Sequence, residues 1–344
     1  LNTLFCIGKN YSFKPLQDYS IRYAQSLFEE IHCTWFLDST NNIDLFKNLN
    51  HAIEISQNLL ILTNDSILNE ILNDFKKHSL PMPTLEKNHY TLTFKNCNIT
   101  LQNSPQIPQS TDTNNTFLYL LGFDCQSALT LLNPLAKAHQ IQLQTLQNTC
   151  GIEILQAKAL SHKTLSTFLK EMSQIFQNKI FSSSNLAQSI IQLLANSKQK
   201  ITTAESCTGG LVAYYLTKES GASEVFDGGI ISYANAIKES WLKVSNSNLI
   251  AYGAVSEAVV REMLDGALSL SGADFAIATS GVAGPNGGNA SKPVGTIFIG
   301  VKSKNGEEII NRVLFSGDRN YIQEQSCLYA YLIFLKLFFK TIDF

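Results

Sequence analysis

The sequence predicts an α/β protein: two α/β/α sandwich-like units joined by a small α+β unit, with a mixed sheet in the C-terminal one. Three observations carry this. Short apolar runs alternate with amphipathic helical stretches over roughly the first 120 residues, the pattern of strands and helices in turn. The same alternation resumes near residue 186 and continues to the C-terminus. Asn305-Gly306 separates two strand-like runs, the signature of a tight hairpin, so at least one antiparallel pair joins an otherwise parallel set.

Taken in order, residues 3–7 read as a strand, 18–31 as a helix, 34–37 as a strand, 44–56 as a helix, 59–62 as a buried strand and 67–77 as a helix. That βαβα order predicts a parallel sheet covered by helices. Pro81, Pro83, Pro105, Pro108 and the polar run at 110–115 predict irregular loops. In the small unit, residues 151–157 alternate with period two and 164–178 read as a helix; Ser182-Ser183-Ser184-Asn185 reads as a linker ending in a helix N-cap. The expected units are therefore 1–130, 131–184 and 185–344. The last contains a helix at 186–197, the strand 200–204, a helix at 208–218, a strand at 229–233 and a helix at 235–242. A helix capped by Ser256 then carries Val259, Val260, Met263 and Ala267 on one face. A strand at 274–279 ends in a glycine-rich loop, 294–302 and 308–315 form the hairpin, and Arg319 opens the final helix.

With 344 residues either half can bury a core, and 44% hydrophobic with 16% charged residues is ordinary globular composition. A formal net charge of −2 gives no reason to expect nucleic acid or an anionic membrane as partner. Seven scattered cysteines without a C-x-x-C pair argue against a disulfide framework or a zinc knuckle and suit a reducing, cytoplasmic setting. The first residues lack a basic segment leading into an apolar core, so no secretory signal is expected. The segment 327–340 is the most apolar in the chain, but it is too short to span a bilayer and Lys336 interrupts it. It predicts a buried terminal helix, with a subunit interface as one destination and a homodimer or larger assembly as the expectation.

The chemistry concentrates in Thr202-Thr203-Ala204-Glu205-Ser206-Cys207-Thr208-Gly209-Gly210, where an apolar strand turns into a helix. Taken alone, Ser206 is an ordinary helix cap. Glycines at 209 and 210 also permit close approach by a ligand, and the N–H groups of Cys207, Thr208, Gly209 and Gly210 are candidates for an oxyanion hole. No histidine follows His162. A base for Ser206 must then be something other than imidazole, and Lys238 lies one helical turn past the strand that ends near Tyr233. Alone, Lys238 is a solvated helix lysine and Tyr233 a packing residue. Together, a lysine withdrawn from water has a lowered pKa and can serve a serine as a neutral base. Ser280 and Gly281 open a strand-to-loop junction that is either a turn or an anion cradle. Arg319 is either a surface residue or a clamp for phosphate or carboxylate. Cys207 is a stronger nucleophile in principle, yet its side chain is expected to point away from Ser206 into the interior.

These motifs resemble the C-terminal domain of the CinA family, the nicotinamide mononucleotide deamidases, over roughly residues 186–335. The blocks are Ala-Glu-Ser-Cys-Thr-Gly-Gly at 204–210, Gly-Gly-Ile-Ile-Ser-Tyr-Ala-Asn at 228–235 with Lys238, and Gly-Ala-Val-Ser-Glu at 253–257. Ser-Gly-Val-Ala-Gly-Pro-Asn-Gly-Gly at 280–288, Lys-Pro-Val-Gly at 292–295 and Phe-Ser-Gly-Asp-Arg at 315–319 complete the set. The resemblance implies cofactor- and metal-independent hydrolysis of the nicotinamide carboxamide to a carboxylate, with Ser206 as nucleophile and Lys238 as base. It further implies that Tyr233 orients or relays the proton, that Ser280 lines the site and that Arg319 binds substrate. Gln323 stands where an arginine is common, which puts phosphate affinity in question. The region 151–179 resembles the family's small, KH-like linking domain. The N-terminal part resembles a degenerate CinA N-terminal domain, similar to molybdopterin-biosynthesis proteins. There Cys6-Ile7-Gly8-Lys9-Asn10 replaces an acidic motif and Leu62-Thr63-Asn64-Asp65-Ser66 replaces a glycine loop, which leaves residual ADP-ribose pyrophosphatase activity in this half as an alternative reading, beside that of a nucleotide-binding or competence-associated module with little or no turnover.

Overall fold

The computed structural model describes residues 1–8, 11, 14–28, 30–37, 42–78, 80–86, 89–102, 114–149 and 151–341. The chain divides into two compact units, Leu1–Asp112 and Thr113–Phe344.

The first unit holds strands β1 (Asn2–Ile7), β2 (Cys33–Leu37), β3 (Asn58–Leu62), β4 (Thr84–Glu86), β5 (His89–Phe94) and β6 (Cys97–Gln102), in sheet order β2-β1-β3-β6-β5-β4. Alternation along β1 and β3 splits the core between two faces. Leu4, Cys6, Leu60 and Leu62 pack with Tyr23 and Ala24 of helix α1 (Lys14–Leu27). Phe5, Ile7, Leu59 and Ile61 pack with Leu45 and Leu49 of α2 (Asn42–Ile55) and with Ile71 and Phe75 of α3 (Asp65–Lys77). Strands β1, β2, β3 and β6 are parallel, as the βαβα pattern predicts, whereas β5 and β4 run antiparallel to their neighbours. Pro81 and Pro83 lie outside regular structure, as expected, and the stretch after them supplies three strands that the expected elements did not include. Lys95 and Asn96, both at positive φ (49° and 65°), make the β5–β6 turn without glycine. Asn64 accepts a hydrogen bond from the Ile67 N–H and caps α3, so the segment replacing the expected glycine loop is spent on helix initiation. Lys9, Asn10, Pro105, Pro108 and residues 110–113 lie outside the described residues.

The second unit contains two sheets. In the smaller, β7 (Asn115–Leu120), β8 (Gln142–Thr149), β9 (Ile152–Lys158) and β10 (Ile180–Ser183) run in the order β10-β7-β9-β8, all antiparallel. Leu118, Leu120, Leu155 and Ala157 pack on α4 (Cys125–Ala138) and α5 (His162–Phe176). Because β7 pairs with both β9 and β10, this subunit of the fold starts near residue 115 and not at 131. Ser182 and Ser183, expected as linker, belong to β10; Asn185 caps α6 (Leu186–Ser197) as expected.

The larger sheet follows: β11 (Ile201–Glu205), β12 (Gly229–Ile231), β13 (Phe275–Gly281), β14 (Thr296–Ser303) and β15 (Glu308–Leu314), in the order β12-β11-β13-β14-β15. The first three are parallel and the last two antiparallel, the mixed sheet foretold by Asn305-Gly306. On one face lie α6, α7 (Leu211–Thr217) and α11 (Arg319–Thr341); on the other, α8 (Asn235–Leu242), α9 (Asn246–Tyr252) and α10 (Glu257–Ser271). Helix α10 meets α8 at Gly266, where an added Cβ would lie 2.1 Å from the Leu242 carbonyl oxygen, so the two backbones touch with no side chain between them.

Helix α11 is apolar all round because it is covered on several sides. Ile299 and Val301 of the large sheet share a continuous core with Tyr329, Phe334 and Phe338, and so do Tyr119, Ile152 and Ile154 from the small sheet. A helix buried this way needs no polar face. Its hydrophobicity, which suggested a subunit interface, is accounted for inside one chain. No helix among the described residues is long and apolar enough to cross a membrane.

Candidate active site

The carboxyl ends of β11, β12 and β13 lie side by side, the edge at which ligands bind in open α/β sheets. Ser206 follows β11 directly, and its N–H donates to the Thr279 carbonyl at 2.9 Å, which fixes its backbone to the end of β13. Helix α7 starts at Leu211, three residues later than the expected 208, because Gly209 and Gly210 take positive φ of 64° and 100°. Ser206 is therefore not the cap of α7. It sits on a five-residue turn between strand and helix.

The N-cap position is Gly210, and the helix start is capped from β11 by the carboxylate of Glu205, which is fully buried. Its Oε2 accepts from the Thr208 hydroxyl at 2.7 Å and from the Gly210 and Val212 N–H groups at 2.9 and 3.1 Å; Oε1 accepts from the Ala213 N–H at 2.8 Å. A carboxylate at a helix N-terminus satisfies the orphan donors there and complements the helix dipole. The signal was visible as a glutamate inside a run of five buried positions, where a charge persists only with several partners.

That cap changes the inventory of oxyanion donors. The Gly210 N–H is consumed by Glu205, and the Gly209 N–H donates to the Ser206 carbonyl at 3.2 Å. Among the described residues, the N–H groups of Cys207 and Thr208 have no hydrogen-bond partner outside their own residue. Gly209 faces open space, with nothing within 4 Å of an added Cβ. The Cys207 thiol points into the apolar core, and burial pushes its pKa up to about 12, so it stays protonated.

Lys238 stands in the first turn of α8 and is 1% exposed. Its Nζ donates to Ser206 Oγ at 3.0 Å, to the Ser232 carbonyl at 2.6 Å and to the Tyr233 carbonyl at 3.3 Å. Burial lowers its pKa from the ordinary 10.5, opposed only by the neighbouring Cys207. No carboxylate pairs with this amine among the described residues, so only neutral acceptors set its charged form against the cost of desolvation. Ser232, whose N–H donates to the Glu205 carbonyl at 2.7 Å, is a residue that sequence reasoning passed over. It carries the chain from β12 into α8 and gives the amine its shortest bond.

The remaining expected residues separate into two groups. Tyr233 touches the base through its carbonyl, not its phenol; the ring is 61% exposed, and its hydroxyl accepts from Arg319 Nη2 at 3.1 Å. Arg319 also donates to the Gly284 carbonyl at 2.9 Å, so it bridges the β13 loop and Tyr233 at the mouth of the site. Ser280 is buried, with its hydroxyl donated to the Ala254 carbonyl at 2.7 Å. Gly281 is required by packing, since an added Cβ would lie 2.3 Å from Ile297 Cδ1. Both shape the β13 end and offer no side-chain group to a ligand. Gln323, one turn beyond Arg319 on α11, donates its Nε2 to the Cys207 carbonyl at 2.7 Å.

Comparison with known proteins matches the part of the chain that carries these residues. The profile of the CinA C-terminal domain matches residues 183–338. Nicotinamide-nucleotide amidohydrolase PncC of Enterobacter agglomerans is 47% identical over 141 residues, 41% of this chain and 86% of that protein. The protein of the same name from Escherichia coli K12 is 43% identical over 145 residues, 42% of this chain and 88% of that one. A CinA-like protein of Thermotoga neapolitana is 45% identical over 141 residues, 41% of this chain, which span only 34% of that longer relative. The crystal structure of competence/damage inducible protein CihA from Agrobacterium tumefaciens is 39% identical, covering 44% of this chain and 93% of that one with a TM-score of 0.43. The chain belongs to the CinA family.

Proposed function

We propose that this chain is an amidase that hydrolyses the carboxamide of nicotinamide mononucleotide to nicotinic acid mononucleotide and ammonia. The observation that carries the reading is the 3.0 Å contact between Ser206 Oγ and a lysine that is buried and lacks an acidic partner. The names of the PncC relatives supply the substrate class. Neutral Lys238 takes the Ser206 proton as Oγ attacks the carboxamide carbon. The oxyanion forms against the free Cys207 and Thr208 N–H groups. The resulting ammonium of Lys238 gives its proton to the departing nitrogen, and ammonia leaves. Water then attacks the acyl-Ser206 ester with Lys238 again as base, releasing the carboxylate and restoring both residues. No step needs a metal or cofactor. The test is ammonia release from nicotinamide mononucleotide by the purified chain; no release at micromolar enzyme would end the proposal.

The base sets the pH dependence. Only the neutral amine activates Ser206, so kcat rises with pH as Lys238 loses its proton, with a midpoint below 10.5 because burial lowers its pKa. Lys238→Arg keeps the charge but cannot deprotonate, and kcat is expected to fall by roughly 10³-fold. Lys238→Met should lose activity equally and yet be more stable at neutral pH. The unfolded amine binds a proton more tightly than the folded one, so wild-type stability rises with pH between the lowered folded pKa and the unfolded value, and the methionine removes that penalty. A Tm of Lys238→Met below wild type at pH 7 would contradict this.

Arg319 lies at the mouth, away from the Ser206–Lys238 contact, and suits the ester phosphate of the substrate. Arg319→Ala should raise KM by roughly 10-fold or more while kcat changes far less, as expected for loss of uniform binding. An unchanged KM in steady-state kinetics would remove the phosphate role.

A further inference from the structure

We infer that Gln323 is a positioning residue for the oxyanion hole, acting through the Cys207–Thr208 peptide. The inference rests on the amidase reading above and deepens it. Gln323 Nε2 donates to the Cys207 carbonyl at 2.7 Å, across 116 positions of sequence. A trans peptide is planar, with C=O and N–H on opposite sides, so fixing the oxygen fixes the direction of the hydrogen. The hydrogen in question is the Thr208 N–H, one of the two donors in the turn left without a partner. Donation to a carbonyl also polarises its peptide and strengthens the N–H as a donor.

The remaining restraints on this peptide come from the other side. Thr208 is held through its hydroxyl by Glu205 Oε2 and by Thr279 Oγ1, each at 2.7 Å. Those bonds anchor the side chain, and the Gly209 N–H to Ser206 carbonyl bond closes the turn around this peptide, but none of them bonds the peptide's own C=O or N–H. Gln323 supplies the missing restraint. It stands one helical turn after Arg319, so both side chains leave the same face of α11. One grips the mouth of the site and the other its floor. The chain thus uses Gln323 on its own backbone, and substrate affinity is left to Arg319.

The test compares Gln323→Met, which keeps length and volume but removes the donor, with Gln323→Arg, which keeps a donor. Two readouts are needed: ammonia release from nicotinamide mononucleotide, and the rate at which a fluorophosphonate labels Ser206, whose phosphoryl oxygen needs the same donors. Labelling does not depend on the natural substrate. Wild-type labelling without deamidation would therefore sink the substrate assignment while leaving this inference standing. The expected result is a roughly 10-fold or greater fall in both kcat and labelling rate for Gln323→Met, with KM within about 2-fold and recovery in Gln323→Arg. Wild-type rates in Gln323→Met would overturn the inference. So would a rise in KM alone, or equal impairment of both variants, which would make the residue a packing element.

Discussion

Ser206→Ala should abolish ammonia release, with kcat falling by at least roughly 10⁴-fold, because no other nucleophile can take its place. Cys207 is adjacent, but its thiol is buried in the apolar core and burial holds it protonated. The fold should be untouched. The Ser206 hydroxyl is bonded only to Lys238 among the described residues, and the backbone bond to Thr279 is independent of the side chain. Substrate should still bind, with a Kd by calorimetry within a few-fold of wild type, since binding falls to Arg319 and the loop around it. Retained turnover in Ser206→Ala would remove the nucleophile and with it the whole mechanism. A loss of binding to match the loss of rate would instead make Ser206 a substrate contact.

Glu205→Gln should lower Tm by roughly 4–16 °C and eliminate activity together. The carboxylate accepts four hydrogen bonds in the interior, three on one oxygen and one on the other. An amide cannot reproduce this in either orientation. Its NH₂ must face the Ala213 N–H or face the donors from Thr208, Gly210 and Val212. Leaving buried donors opposed costs about 2–4 kcal/mol, and for a unit of this size each kcal/mol is worth roughly 2–4 °C. Activity follows because residues 206–210 hang between β11 and the helix that Glu205 caps. Thermal unfolding followed by circular dichroism checks the first half, and a Tm within 2 °C of wild type would show that the cap is not what holds the turn.

The strands and long helices were legible because their residues repeat at periods of two or 3.6, and period alone separates the two. Helices at 186–197 and 235–242 have the expected bounds, the first opened by its Asn185 cap and the second, which follows Ala234, without a side-chain cap. Failures fall where a local signal is replaced by a tertiary one. The β5–β6 turn uses Lys95 and Asn96 at positive φ, a conformation that sequence associates with glycine. Helix α9 is seven residues long and begins Asn-Ser-Asn, so its only mark is Ser245, whose hydroxyl accepts from the Asn248 N–H at 3.4 Å.

At the site, the meeting of Ser206 with Lys238 followed from the strand–helix pattern and the lack of histidine. The division of labour around them did not. Glu205 read as a flank of the nucleophile, Gly210 as an open donor and Ser280 as a contact, and the structure spends all three on building the turn and its neighbours. Which N–H groups remain free depends on bonds that form only once the turn is built, Gly210 with the Glu205 carboxylate and Gly209 with the Ser206 carbonyl, and the periodicity of strands and helices does not encode those.

Nucleophile and base belong to different elements, and nothing covalent sets the gap between them. Lys238 is carried by α8, whose last residue, Leu242, rests its carbonyl on α10 where Gly266 offers no side chain. The spacing of the reacting pair is thus gauged by an atom that is missing some distance from the chemistry. A single methyl group at Gly266 would act as a shim under α8, shifting Lys238 and detuning its contact with Ser206 while changing no chemical group in the site.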